Sequence, residues 1–237
     1  VEPDEYARMD AAEDRMWWYR ALHTRLMLAL HGIEGRVLDA GCGTGGFLAR
    51  LAACQTLQPA GVEFSAPAAR RAAEKSGLPV AAATLHALPF ATAQFAAVIV
   101  ADVLCHAAVQ PLVALGELHR VLRPGGRLIV NMPAYGWLLS AHDRRVHNTR
   151  RQTATQLRLL LEKAGFVRPA LRYWNSLLLP AMIIQRKLLA RRAHASSDVA
   201  TFPPWLDATF GVITELERQC GLPMPAGGSI IGIAERP

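Results

Sequence analysis

At 237 residues, 51% of them apolar, the chain is long enough for one sizeable domain with its own core and too apolar for global disorder. Cys42, Cys54, Cys105 and Cys220 make no C-x-x-C pair and no zinc spacing, so a disulfide scaffold and a metal site are not expected and reduced thiols are. The net charge of +7 is concentrated in residues 140–195, where 12 Lys/Arg stand against Asp143 and Glu162, a basic region that fits either an anionic partner or a solvated face.

In chain order, residues 4–31 read as helical, with apolar positions at Met16, Trp17, Leu22, Leu26, Met27 and Leu30. RVLDA (36–40) is a short buried strand between Gly35 and Gly41, followed by a helix at 47–54. PAGVEF (59–64) reads as the second strand, and 66–77 as a helix stopped by Gly77. LPVAAAT (78–84) and FAAVIVAD (95–102) are the next strands, the latter rich in β-branched residues. A helix at 109–122 ends at RPGG (123–126), before the strand RLIVNM (127–132). A helix at 153–166, a strand at 167–174, a helix-rich excursion broken by a loop at 194–204, and the strand SIIGIAERP (229–237) complete the chain. Such alternation with uninterrupted apolar strands argues an α/β fold with a doubly wound, mostly parallel sheet. The opening VEPDEY is not a signal sequence, and LLLPAMII (177–184) falls far short of the roughly 20 residues that span a bilayer, so a cytoplasmic protein is expected.

VLDAGCGTGGF (37–47) places its glycines between the first strand and the following helix. Gly41, Gly43 and Gly46 fit a dinucleotide loop, and Gly41, Gly43 and Gly45 fit an S-adenosylmethionine (SAM) loop. Both ligands carry adenosine, and Glu63 at the end of the second strand suits the ribose diol of either. Asp39 distinguishes them: it would repel a pyrophosphate and attract a sulfonium and an ammonium. The same carboxylate could instead cap the loop.

These residues, with GVEFS (61–65), LHALPF (85–90), FAAVIVADVLCH (95–106) and ELHRVLRPGGRLIV (117–130), resemble class I SAM-dependent methyltransferases of the ubiquinone/menaquinone-methylase-like, small-molecule type. The resemblance implies a Rossmann-like seven-stranded sheet with an antiparallel last strand. It divides one domain into an N-terminal helical cap (1–33), a core (34–173), a helical lid or insertion (174–228) and the last strand (229–237). By position it implies SAM contacts from Asp39, Gly41, Gly43 and Gly45, ribose binding by Glu63 and an adenine flank at Phe64. Thr84 and Leu85 stand where the family has an acid and an apolar neighbour, so Thr84 departs from the pattern. Asp102 and His106 would face the methionyl group and the acceptor. RMWWYR (15–20) is similar to a leading helix that closes over the cofactor in one branch of the superfamily, and brings Tyr19 or Arg20 within reach of the site.

Methyl transfer needs mainly in-line placement of donor and acceptor. An oxygen or nitrogen acceptor also calls for a base, for which His106 is the first candidate, with His142 and His147 behind it. HDRRVHNTRR (142–151) is either an anion-recognising segment or a solvated loop. WNSLLLPAMIIQRKLLARR (174–192) suits either a lid or an interfacial membrane helix. The expected activity is therefore methylation of a small, anionic or lipid-like acceptor, with oxygen as the target atom. A nicotinamide oxidoreductase would leave Asp39, ADVLCH and RPGG without a role. A nucleic-acid methyltransferase would need a paired-proline motif after the fourth strand, where ADVL stands, and a non-catalytic SAM-binding protein is the remaining alternative.

Overall fold

The structure, a computed structural model, describes residues 3–186 and 202–237, apart from the side chains of Pro3, Ala141 and His142. Strands β1 (Gly35–Ala40), β2 (Leu57–Glu63), β3 (Val80–Ala82), β4 (Phe95–Ala101), β5 (Leu122–Pro133), β6 (Val167–Trp174) and β7 (Ser229–Glu235) form one sheet. Its order is β3-β2-β1-β4-β5-β7-β6. The β1–β5 pairings are parallel, and β7 inserts antiparallel between β5 and β6. This is the mostly parallel seven-stranded Rossmann-like sheet that the sequence implied.

The sheet is covered on both faces because its central strands are apolar on both. In β4, Val98 and Val100 join one core, while Ala97 and Ile99 join the other. The first core takes Leu115 and Leu118 from α5 (Pro111–Val121) and Leu157 and Leu161 from α7 (Ala154–Lys163). The second takes Leu22 and Leu26 from α2 (Trp17–Ala29), Leu48 and Leu51 from α3 (Gly46–Ala52), and Ala72 from α4 (Ala66–Ser76). Each fully buried Leu, Ile or Val contributes roughly 1.5–3 kcal/mol. Helix α7 starts where its sequence dictates. Thr153 Oγ1 accepts from Gln156 N at 3.3 Å and Gln156 Oε1 accepts from Thr153 N at 2.8 Å, a reciprocal cap.

Three elements differ from the sequence reading. The helix expected at 4–31 is two helices, α1 (Pro3–Ala12) and α2, separated at an extended Met16 (ψ 133°). Opposing anchors turn the chain there: Lys75 of α4 holds Asp10 and Glu13 at 2.5 and 2.6 Å, while Asp207 accepts from Trp17 N at 2.8 Å. Strand β5 begins at Leu122, so RPGG is inside the strand instead of before it; Leu122 pairs with Phe95 ahead of a register shift. Strand β3 is confined to three residues.

The excursion before β7 contains α8 (Leu179–Ile184) and α9 (Pro204–Cys220). Helix α9 packs on α2 through a Trp17–Phe210 edge contact with ring centroids 5.5 Å apart. Arg25 Nη2 also donates to Thr214 O at 3.0 Å and approaches Glu217 at 3.7 Å. The loop expected at 194–204 as far as residue 201, and residues 187–192 of the amphipathic segment, lie outside the described residues. Because the chain leaves β1 toward β2 and β4 toward β5, a crevice opens beyond the carboxyl ends of β1 and β4.

Candidate active site

That crevice is a cavity of about 720 Å³, within the range of small-molecule sites. Its inner end is built by the β1–α3 turn. Gly41 (φ +90°) borders the cavity, and a side chain there would collide with Val103 of the β4–α5 loop. Gly43 also borders it, facing Met9 of α1. Gly45 does not. Its left-handed φ of +94° starts α3, and its missing side chain admits α4, with Ala72 Cα 2.7 Å from where a Cβ would lie. Gly45 thus has a packing role, since a side chain there would meet helix backbone.

Asp39 lines the cavity while 4% exposed, and its Oδ2 has no hydrogen-bond partner among the described residues. Burial pushes its pKa up to about 7, helped by the carboxylates of Glu13 and Glu63. Glu63, at the end of β2, is held rigidly. Its Oε2 accepts from Gly43 N at 3.1 Å, and its Oε1 accepts from Ser65 N and from Tyr6 Oη, both at 2.9 Å. Burial and that carboxylate raise the Tyr6 phenol above its ordinary value. Helix α1 thus lies across the glycine loop, with Glu13 Oε1 also accepting from Thr44 Oγ1 at 2.8 Å. Phe64, Thr84 and Leu85 continue the wall. Phe64 is among the most exposed large apolar side chains, as an aromatic flank awaiting a ring would be.

Beyond β4, Asp102 adopts a left-handed φ of +54° and borders the cavity. Its N–H donates to Asn131 O, and Asn131 Nδ2 donates to both carboxylate oxygens, all at 3.0 Å. Burial pushes its pKa up to about 6, partly offset by Asn131 and Arg151. His106, in the same loop, turns Nδ1 to the carbonyl oxygen of Val146 at 2.8 Å. A carbonyl only accepts, so Nδ1 carries the proton and Nε2 keeps the free lone pair. Burial holds the His106 pKa below its ordinary value.

The other sequence candidates separate. Tyr19 borders the cavity, and its phenol is raised by burial and by Glu13, Asp102 and Glu5. His147 borders it in a left-handed conformation (φ +57°). His142 belongs to α6 (Ala141–Arg145), and its side chain lies outside the described residues. Arg20 does not reach the cavity: Asp207 of α9 accepts its Nη2 at 2.8 Å and draws the side chain to the outer side of α2.

The arginines of residues 142–151 largely serve the protein itself. Arg151 makes a buried ion pair with Asp143 at 2.8 Å, Arg150 donates to the His106 carbonyl, and Arg145 approaches Glu5 at 3.8 Å. Tyr6, Asn175 and Met182 are among the cavity residues that the sequence reading did not single out as site residues. Asn175 is 2% exposed with φ +57°, and its Oδ1 lacks a partner among the described residues. A polar residue directly after the apolar β6 was the only sequence signal for it. No cluster among the described residues could hold a metal ion.

The model of a methyltransferase domain matches residues 38–130. A curated relative, demethylmenaquinone methyltransferase of Thermus thermophilus, is 40% identical over 123 residues, covering 49% of this chain and 54% of that one. What the chain shares with such proteins is the methyltransferase domain matched over residues 38–130, which runs from Leu38 in β1 to Val130 in β5. It spans about half the length, or less, of the curated relatives it matches. Two solved structures share the fold. A possible histamine N-methyltransferase from Thermotoga maritima has a TM-score of 0.62 at 21% identity, covering 99% of this chain and 95% of that one. Geranyl diphosphate C-methyltransferase from Streptomyces coelicolor has a TM-score of 0.64 at 17% identity, covering 92% and 79%.

The residues present fit the superfamily's cofactor. An unpartnered buried carboxylate (Asp39) and a second one (Asp102) match the two cationic groups of SAM. The glycines Gly41 and Gly43 at the cavity wall and a fixed carboxylate at Glu63 match its adenosine half.

Proposed function

We propose that the protein transfers a methyl group from SAM to an oxygen atom of a small, apolar or lipid-like acceptor by direct in-line displacement. Bound in this cavity, SAM supplies an electrophilic methyl on a sulfonium centre. What remains for the chain is to place the acceptor and take up its proton. The observation that carries the reading is the fixed tautomer of His106. With Nδ1–H spent on Val146 O, the ring offers only a basic nitrogen, and its lowered pKa keeps it unprotonated at neutral pH. With SAM held by Asp39, Glu63 and Asp102, the proton given up by the acceptor hydroxyl would pass to His106 Nε2.

The acceptor half supports an apolar molecule that carries a hydrogen-bond donor. Val109, Val146, Met182 and Phe202 line the cavity together with Asn175. Trp137, Leu139 and Ile184 are exposed large apolar residues, and Arg186 ties their two segments together by donating to Leu138 O at 2.8 Å. Such exposed apolar side chains suit a lipid-like acceptor presented from a surface. No helix among the described residues is long and apolar enough to cross a membrane. With Arg145, Arg150 and Arg151 already engaged inside the protein, an anionic acceptor is the weaker choice.

Calorimetry should show micromolar binding of SAM and of S-adenosylhomocysteine (SAH), and none of NAD; NAD binding without SAM binding overturns the proposal. Following SAH formation across matched alcohols, phenols and amines then tests the target atom. Turnover of amines alone would replace oxygen by nitrogen.

A further inference from the structure

Asn131 is fully buried at the end of β5, in a strand whose neighbouring residues Ile129, Val130 and Met132 are apolar and equally buried. A polar side chain there has to satisfy both ends of its amide. The Nδ2 end donates to Asp102 Oδ1 and Oδ2, each at 3.0 Å. The Oδ1 end accepts from Trp174 Nε1 at 2.9 Å. Trp174 ends β6, two strands away across β7, and is itself 2% exposed. Its indole ring is held against α2, where Trp18 stacks on it with centroids 6.0 Å apart and the Arg25 guanidinium lies 4.6 Å from its ring centroid.

An indole nitrogen can only donate. It therefore decides which end of the Asn131 amide faces Asp102. Were the amide reversed, two donors would meet at Trp174 and an amide oxygen would face a carboxylate, a repulsive arrangement at both ends. The indole thus holds a donor, and not an acceptor, against both oxygens of the Asp102 carboxylate. The Asp102 N–H, bonded to Asn131 O, fixes the backbone in its left-handed conformation at the same time.

We propose that Asn131 and Trp174 are positioning residues that hold Asp102 ionised and oriented toward the cationic methionyl end of SAM. The inference rests on the proposed assignment of Asp102 to that end of the cofactor. Other groups act on Asp102 from each side: Arg151 favours its ionised form, Asp143 opposes it, and the Tyr19 phenol of α2 faces it. Cys105 Sγ donates to its carbonyl oxygen at 3.1 Å. None of these is bonded to the carboxylate, whereas Asn131 is bonded to both of its oxygens.

The test is the pH dependence of SAM binding, measured calorimetrically on the full chain between about pH 5 and pH 9. Removing hydrogen bonds from an ionised carboxylate raises its pKa, so the acidic limb of the profile is the readout. Trp174→Phe keeps the ring in the stack and deletes only the donor that orients the amide. It should move the midpoint of the limb upward, and Asn131→Ala should move it further, by about one pH unit, the size of one lost charge-assisted hydrogen bond. In an Asp102→Asn background, Trp174→Phe should produce no shift.

A purely structural role would weaken SAM equally at every pH with the midpoint unmoved, and that result overturns the inference. So does a shift that persists without Asp102, which would assign the limb to Asp39. If Asn131→Ala fails to fold, Trp174→Phe and the double variant decide alone. Wild-type protein that fails to bind SAM, or binds it without an acidic limb, overturns instead the assignment of Asp102 on which the inference depends.

Discussion

Glu63→Ala is the sharpest perturbation of the cofactor reading. The carboxylate has about four acceptor positions, and three are occupied, by Gly43 N, Ser65 N and Tyr6 Oη at 3.1, 2.9 and 2.9 Å. One position remains outright, and the Tyr6 hydroxyl is the exchangeable partner, being a side chain of α1 and not part of the loop itself. A ribose diol can then make one or two charge-assisted hydrogen bonds, each contributing about 1.5–3 kcal/mol. Losing one predicts at least a tenfold weaker Kd, since about 1.4 kcal/mol corresponds to a factor of ten. The ribose is common to SAM, SAH and adenosine. Calorimetric titration of all three should therefore show the same loss in kcal/mol, provided that circular dichroism shows the variant folded at the assay temperature. An unchanged Kd, or a loss for SAM without one for adenosine, would refute the reasoning.

Asp39→Asn keeps the shape of the side chain and removes its charge, so SAM should lose roughly tenfold more affinity than SAH, which lacks the sulfonium; equal losses would move Asp39 from the sulfonium to the α-ammonium, which SAH keeps, or to a capping role. Because burial raises Asp39 to about 7 and Asp102 to about 6, protons compete with the cationic ligand as pH falls through those values. Affinity for SAM should accordingly be level above about pH 8 and fall by up to tenfold per unit per acid below about pH 6, and a flat profile contradicts the charge assignment. His106→Gln should lower kcat by about 10²–10⁴-fold on a hydroxyl acceptor while SAM binding changes less than twofold, and a fall of less than threefold makes the histidine a packing residue. Asp143→Ala strands the buried Arg151 guanidinium, which is 4% exposed, and should cost about 3–5 kcal/mol in urea denaturation; a cost under about 1 kcal/mol would show that solvent reaches the arginine.

Much of the site lies in one contiguous turn, which is why it was legible. Asp39, Gly41 and Gly43 stand within five residues of one another, and Glu63 follows at the end of the next strand. Local geometry at the end of a parallel strand is enough to aim all four into the same crevice. Gly45 shows the limit of a motif, since its spacing fits a ligand contact and its surroundings are α4. Arg20 shows another: helix periodicity allowed two faces, and an acid 187 residues away chose the outer one. The basic charge of residues 140–195 was visible as a total, but its pairing with Asp143 and Glu5 was not.

By itself the sequence determined the sheet and the donor half of the site, because alternating apolar strands and a glycine turn act over a few neighbouring residues. Only the tertiary structure decided the rest. It brought Asn131 and Trp174 behind Asp102 across three strands, laid Tyr6 on Glu63, and placed Asn175 and Met182 opposite His106 in one cavity. Those juxtapositions join residues 29 to 76 positions apart, so no local pattern encodes them. They exist because burial of polar side chains is tolerated only where the fold supplies each one with a partner.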